Sequence, residues 1–409
     1  MDTQDVPVTD SAAGKTVLCL ASYFKGNEFL QQCKRLGWRV VLLTQESLLD
    51  KPWDRDSVDE IFGVPKIQDR QATLNTVAYL ARTRDFARIS PLDDYDVEIV
   101  AHLREHLRIP GMGETTARYF RDKLAMRARA SDRRIAVPAF VHVLNHDRVR
   151  DFCNRVSPPW FLKPRSEASA IGIRKLHDQG EVWRIIDELG DRQSHYLLEQ
   201  MVAGDIYHVD AIVSEQQLVF AEVHGYRRPP FDVMHSGGIF ATRTVPRGSE
   251  IEQRLLETHR RVVEHLGFVR GVMHTEYIHG PDGEIYFLET AARVGGVHIS
   301  DLVEASTGVN LWREWAKLEL DQNDQPYELP SRRNDYAGLI VSLCRQTVPD
   351  TSSYTDPEIV WRMQGRDHHV GFVVRADSHE RVEELLSQLD RRIQEDFAAI
   401  LPAPSAAPA

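Results

Sequence analysis

The chain has 409 residues, with 61 acidic against 50 basic side chains, a net charge of −11 and a pI near 5.9; this argues against nucleic acid or an anionic membrane surface as the main partner while leaving room for a local basic cleft. Its size and its 42% hydrophobic and 27% charged residues suit two or three globular domains, and no apolar run approaches the roughly 20 residues of a membrane span. Cys19, Cys33, Cys153 and Cys344 stand far apart and indicate neither a disulfide framework nor a zinc site; with a polar, acidic start unlike a targeting peptide, they make a reducing cytoplasm the expected address.

Residues 1–14 read as a disordered tail. Organisation begins at Lys15, where TVLCLA (16–21) and RVVLLT (39–44) read as buried strands around a helix over 28–36 that Gly37 stops. This spacing makes a parallel βαβ unit. The loop at 22–27 holds one glycine and no Gly-x-Gly-x-x-Gly, so a dinucleotide site has no support. A helix over 95–107 runs out before Ile109-Pro110-Gly111, closing a first domain of residues 15–110. Residues 115–130 read as one basic helix, and most of its cations, Arg118, Arg121, Lys123, Arg127 and Arg129, are expected on a solvated face. WFLK (160–163) is a strand ending at Pro164, followed by a small-residue loop, 165–172, and a strand at 173–176. Small residues between strands let backbone amides approach a phosphate. A serine-rich turn with no ligand is the simpler reading of this stretch alone. YLLEQMV (196–202) ends at Ala203-Gly204, and strands at 206–213 and 218–223 belong to an antiparallel sheet. A helix over 254–266 stops at Gly267.

The most informative stretch is 271–296, GVMHTEYIHGPDGEIYFLETAARVGG. Two apolar-rich strands flank Gly280-Pro281-Asp282-Gly283, and Asp-Gly is a strong hairpin signal. A turn centred on Asp282 and Gly283 puts Glu276 opposite Glu289. Alternation then places Glu276 with Val272, His274 and Ile278, and Glu289 with Ile285 and Phe287. Two facing carboxylates on a mostly apolar surface are unfavourable unless a divalent cation lies between them. A solvated hairpin with two scattered glutamates is the alternative. Arg293 follows near the end of the second strand, within reach of the same phosphate. Helices are expected at 298–306 and 311–320. The remainder, 321–401, is a small α/β region with a strand at 370–374 and a long helix over 378–400, and 402–409 is expected to be disordered.

The order of these pieces carries a resemblance. Arg121-Asp122-Lys123, Phe161-Leu162-Lys163-Pro164, the Ser/Ala/Gly loop, Leu197-Leu198-Glu199-Gln200-Met201-Val202-x-Gly204, Glu276, and Glu289-x-x-x-Arg293-x-Gly295-Gly296 together resemble the ATP-grasp superfamily, in its carboxylate–amine ligase branch that includes amino-acid ligases. The similarity covers roughly residues 15–320. It implies an N-terminal parallel βαβ (pre-ATP-grasp) domain, then a two-lobed ATP-grasp α+β domain over 111–320 with its lid at about 130–202, and the small C-terminal α/β region.

The resemblance also implies roles. Lys123 and Lys163 match the lysines that reach ATP phosphates, and the loop with Ser166, Ser169 and Ala170 matches the phosphate-covering loop. Glu199, Gln200, Met201 and Val202 match the hinge at the adenine edge. Glu276 and Glu289 match the carboxylates for Mg²⁺ or Mn²⁺, and Arg293 the arginine facing the transferred phosphoryl group. Arg227, Gly295, Gly296 and His298 are candidates for substrate contact. Three departures stand out. Ala291 occupies a place where the family often has Asn. Ile206 occupies the place of the ribose-binding acid, with Asp205 beside it. The phosphate loop lacks the glycine run of biotin carboxylases. The implied reaction joins a small carboxylate to an amine through an acyl phosphate, releasing ADP and phosphate, with no nucleic acid or membrane as partner and a homodimer left open. A bicarbonate-using carboxylase and a non-catalytic ATP-binding protein are the alternatives.

Overall fold

The two apolar runs of the N-terminal region become the centre of a parallel sheet. A computed structural model describes residues 14–168, 171–320 and 327–399. Apart from Gly14, the expected terminal tails lie outside the described residues. Packing divides the chain into two units, one reaching Glu114 and taking in the helical residues from Trp315, the other holding the rest.

In the first unit β1 (Thr16–Ala21), β2 (Arg39–Gln45), β3 (Glu60–Val64) and β4 (Phe86–Pro91) pair in the order β3-β2-β1-β4. Every residue of β1 is buried, as a strand flanked on both edges and covered on both faces requires. The helix Asn27–Arg35 turns Phe29, Leu30 and Cys33 inward, and Gly37 ends the run at a φ of 80°. Leu18, Leu20, Val41, Leu43, Ile89 and Leu103 share one core. The sequence does not announce β3, β4 or the helix Arg70–Leu80, because their burial is one-sided and Thr73, Asn75 and Thr76 interrupt the apolar pattern.

The second unit holds two antiparallel sheets. β5 (Phe140–His142), β6 (Trp160–Pro164), β7 (Arg174–Leu176) and β8 (Tyr196–Gln200) form the smaller, ordered β5-β8-β6-β7. Trp160, Leu162 and Leu198 face a core shared with Phe152, Val182 and Ile186, so alternation turns Phe161 and Lys163 to the other face. The larger sheet runs β13-β12-β9-β10-β11-β14-β16-β15. Its strands are β9 (Asp205–Ser214), β10 (Gln217–Tyr226), β11 (Phe240–Thr244), β12 (Gly271–His279), β13 (Ile285–Ala291), β14 (Tyr336–Leu343), β15 (Ile359–Arg362) and β16 (His369–Ala376). The C-terminal region is therefore continuous with this sheet, to which it adds three strands, and the helix His379–Asp396 packs on them. Among the described residues no helix is long and apolar enough to cross a membrane.

The single basic helix expected over 115–130 is broken. A turn of helix at Glu114–Ala117 and a 3-10 turn at Arg118–Phe120 precede a new helix, Lys123–Asp132. Asp122 starts that helix by accepting from the amides of Leu124 and Ala125. Three of the cations, Arg121, Lys123 and Arg127, are buried, whereas Arg118 is exposed as expected and Arg129 is half-buried.

Behind the large sheet, the helix Glu250–Leu266 buries His259 completely. Its Nδ1 lies 2.9 Å from the Tyr277 hydroxyl and its Nε2 has no partner among the described residues. Burial pushes its pKa down to about 3, from 6.5. The unfolded chain therefore takes up a proton below pH 6.5 that the folded chain refuses, and stability falls as pH drops from 6.5 toward 3. Within that window each further drop of one pH unit costs about 1.4 kcal/mol. Between pH 7 and 5 the wild type is expected to lose about 2 kcal/mol more than His259→Gln. Urea titrations at both pH values check this, and equal losses would refute it.

Candidate functional site

Glu276 and Glu289 do stand directly opposite each other, but by a route the sequence hides. The turn spans five residues, with the Gly280 amide donating to Glu284 O at 2.9 Å, and near it Tyr277 pairs with Phe287. An unbroken ladder would set Glu276 against Leu288. A bulge at Leu288 shifts the register by one and brings Glu289 across from Glu276. The bulge also corrects the expected faces. Glu289 does not share a side with Ile285 and Phe287; those two point with Tyr277 into the core, whereas Glu289 joins His274 and Glu276 on the other face. The paradox of two carboxylates on an apolar surface disappears, because that surface is polar.

Lys123 ties these strands to the loop after β6. Its ammonium lies 2.9 Å from Glu289 Oε2 and 2.6 Å from the carbonyl of Glu167, and its amide donates to Arg165 O at 2.8 Å. Arg121 donates to the carbonyl of Ser166. Ser166 is thus held at the base of the loop, while Ser169 and Ala170 lie outside the described residues.

Lys163 has a partner that the sequence does not suggest. It pairs with Glu199, whose other oxygen receives Arg127 Nε at 2.6 Å. Glu199 and Arg127 are each only 1% exposed. Burial alone would raise the Glu199 pKa, but Arg127 and Lys163 hold it below the usual carboxylate value. Lys163 therefore has a structural partner as well as the phosphate role that the resemblance implies. Arg127 lies one helical turn after Lys123, which is the only trace the sequence gives of it.

The hinge residues are placed as follows. The Gln200 amide donates to Ala139 O at 2.8 Å and the Met201 amide to Pro159 O at 3.1 Å, so neither amide is available to an adenine edge. Gly204 has a φ of 144°, and a Cβ there would fall 2.1 Å from His279 O; only glycine fits. Asp205 follows it, exposed, on the face of β9 that carries Tyr207. Glu276 pairs with His208, so the carboxylates share a face with Ile206 and not with Asp205. Asp205 therefore lies on the opposite face of β9 from the carboxylates.

Arg293 lies two residues beyond β13. Its Nη1 donates to Val294 O at 2.8 Å, while its Nε is buried with no partner among the described residues. Gly295 is explained by packing: a Cβ would come 3.0 Å from His274 Nδ1 and 2.9 Å from Ile299. At Gly296 a Cβ would meet only open space, which leaves it able to admit a ligand to the backbone. His298 has a φ of 63°, donates from Nδ1 to Asp301 Oδ2 at 3.0 Å, and lies against Trp361 with centroids 4.4 Å apart. Arg227 is turned away: Glu383 lies 3.5 Å and Ser387 2.9 Å from its guanidinium, on the helix His379–Asp396.

The residues fit a divalent cation and phosphate. Tyr226 OH donates to Glu276 Oε1 at 2.7 Å, Lys123 meets Glu289 Oε2, and the second oxygen of each carboxylate has no hydrogen bond among the described residues. Two carboxylate oxygens on one face, with a lysine beside one of them, make up a donor set for Mg²⁺ and anionic oxygen. His208 and Asp210, behind Glu276, were not singled out from sequence. Their trace is a period-two run of polar residues, His208 and Asp210, Glu222, His224 and Tyr226, His274 and Glu276, in strands that otherwise read as apolar.

Residues 30–111 match the family model of the ATP-grasp N-terminal domain. The chain is 22% identical over 262 residues to an L-arginine-specific L-amino acid ligase of Bacillus subtilis, covering 62% of each protein. It is 32% identical over 114 residues to a D-alanine--D-alanine ligase of Chlorobium luteolum, covering 26% of this chain and 32% of that one. The chain thus spans less than two thirds of the length of these curated relatives. Among solved structures, an L-amino acid ligase from Bacillus licheniformis superposes with a TM-score of 0.75 at 18% identity, over 95% of this chain and 99% of that one.

Proposed function

We propose, starting from a chain that has an ATP-grasp N-terminal domain and the ATP-grasp fold, that it is an ATP-dependent ligase joining a small-molecule carboxylate to an amine. The observation that carries this reading is the facing pair Glu276 and Glu289 with Lys123 bonded to Glu289. The names of the relatives, amino-acid and D-alanine ligases, support the substrate class. Mg²⁺ or Mn²⁺ held by Glu276 and Glu289 would supply charge neutralisation at the phosphates.

The chain's own residues supply the rest. Lys123 and Lys163 offset the charge of ATP, and the loop from Ser166 covers the phosphates. The segment from Val202 onward meets the adenine edge. A carboxylate oxygen of the acid attacks the γ-phosphorus, the bond to the β-bridging oxygen breaks, and ADP leaves. The amine nitrogen then attacks the carbonyl carbon of the acyl phosphate, the carbon–oxygen bond breaks, phosphate leaves and the amine loses a proton. Arg293 faces the transferred group, where a fixed positive charge matters most. Gly296 admits the carboxylate to the backbone. Exclusion of water protects the acyl phosphate from hydrolysis.

The test is nucleotide release across a panel of carboxylic acids crossed with amines, amino acids included. ADP and phosphate formed only when both partners are present is the expected result. AMP and pyrophosphate would indicate adenylation, bicarbonate-dependent ADP without amine a carboxylase, and no turnover with any pair a non-catalytic nucleotide binder. Each of these outcomes overturns the proposal.

A further inference from the structure

Behind Glu276, the sheet contains a polar cluster that the reaction does not use. Asp210 on β9 is fully buried and accepts from His208 Nδ1 at 2.7 Å and lies 2.8 Å from His274 Nδ1. A third imidazole, His224, stacks on His208 with centroids 4.8 Å apart, and its Nδ1 lies 3.4 Å from the same carboxylate. His208 Nε2 meets Thr242 Oγ1 at 2.8 Å on β11. From Asp210 the cluster leads outward in one direction. The far nitrogen of His274 lies 3.8 Å from Glu276 Oε1, the oxygen that also receives Tyr226 OH at 2.7 Å. The Tyr226 ring lies against His208, with centroids 4.8 Å apart. Gly295 lets the chain after β13 close over His274.

We infer that Asp210, acting through His274, and Tyr226 are positioning residues that fix one oxygen of Glu276 and leave the other aimed at the cation; the inference rests on the ligase reading. The physical argument is one of freedom. A glutamate side chain at a sheet surface samples several rotamers, and a ligand that must be ordered on binding costs affinity. Here Tyr226 fixes Oε1 by a direct hydrogen bond, and His274 stands behind it with its own ring fixed by Asp210. Residues that orient a metal-binding side chain in this way typically contribute about 10–100-fold to metal affinity. The cluster is not itself read as a cation site. Its nitrogen–oxygen separations of 2.7 and 2.8 Å are those of hydrogen bonds, well below the roughly 3.3 Å between neighbouring ligands of a tetrahedral ion with bonds of about 2.0–2.1 Å.

The experiment measures Mn²⁺ binding by electron paramagnetic resonance in the presence of ADP, and metal-free ADP affinity by calorimetry, in the wild type, Tyr226→Phe and Asp210→Asn. Expected is a tenfold or larger loss of Mn²⁺ affinity in both variants, with metal-free ADP affinity within twofold of wild type. A merely structural role would lower both affinities together, and unchanged Mn²⁺ affinity would remove the positioning role; either result overturns the inference. Tyr226→Phe keeps the ring and loses only the hydroxyl, so it decides the matter alone if Asp210→Asn fails to fold. One equivalent of a transition metal retained after dialysis against chelator would make the cluster a metal site and also overturn it. A wild type with metal-linked ADP binding but unaffected variants sinks this inference alone. A wild type without such linkage sinks the ligase reading as well.

Discussion

Arg293→Ala is expected to slow acyl phosphate formation about a hundredfold or more, a loss of about 3 kcal/mol of transition-state stabilisation. The structure gives the reason for a large effect. One guanidinium nitrogen is anchored on the Val294 carbonyl, and Nε is buried without a partner among the described residues. A donor kept dry and unpaired costs stability in the resting protein unless something completes it during the reaction. Arg293→Lys should recover little, because an ammonium on a flexible stem does not reproduce a planar fork of donors. The measurement is transfer of ¹⁸O from labelled carboxylate into phosphate, followed in single turnovers. Label transfer in Arg293→Ala within threefold of the wild-type rate would remove the assigned role.

The largest stability effect should come from Glu199→Ala, at about 3–5 kcal/mol. Arg127, 1% exposed, and Lys163 would be left with no anion, and breaking a buried pair from one side is far costlier than replacing it whole. The double replacement Arg127→Met with Glu199→Leu removes both charges at similar volume and should cost markedly less than Glu199→Ala. Urea unfolding of these variants beside the wild type decides it. A Glu199→Ala loss below about 1 kcal/mol would mean that water reaches the pair and screens it. Lys163 is the member of the trio nearest to a nucleotide role, so Lys163→Ala must be read for stability and affinity together.

Much of the architecture is written in local pattern. Strands buried on both faces, such as TVLCLA, show as unbroken apolar runs, and Gly37 and Gly267 mark where helices stop because they take positive φ. Asp-Gly at the hairpin tip, with seven or more residues on either side, was enough to bring Glu276 near Glu289. The ATP-grasp fold followed from the order of several short motifs, each weak alone.

Tertiary structure decided what periodicity cannot carry. A bulge at Leu288 both set the carboxylates opposite each other and moved Glu289 off the face of Phe287; one extra residue flips every later side chain, and nothing in Phe-Leu-Glu marks which residue it is. Burial of Arg121, Lys123 and Arg127 was illegible because a cation is buried only where a partner from elsewhere in the chain meets it. Those partners, Glu199 for Arg127 and Glu289 for Lys123, lie 72 and 166 positions away. The convergence of Asp210, Tyr226 and His274 behind Glu276 likewise needs three strands paired in the order β12-β9-β10. Each strand shows only alternation, and alternation gives a face without naming its neighbours. The sequence by itself determined which residue types were present and on which local elements they lay; strand pairing and register decided which of them meet.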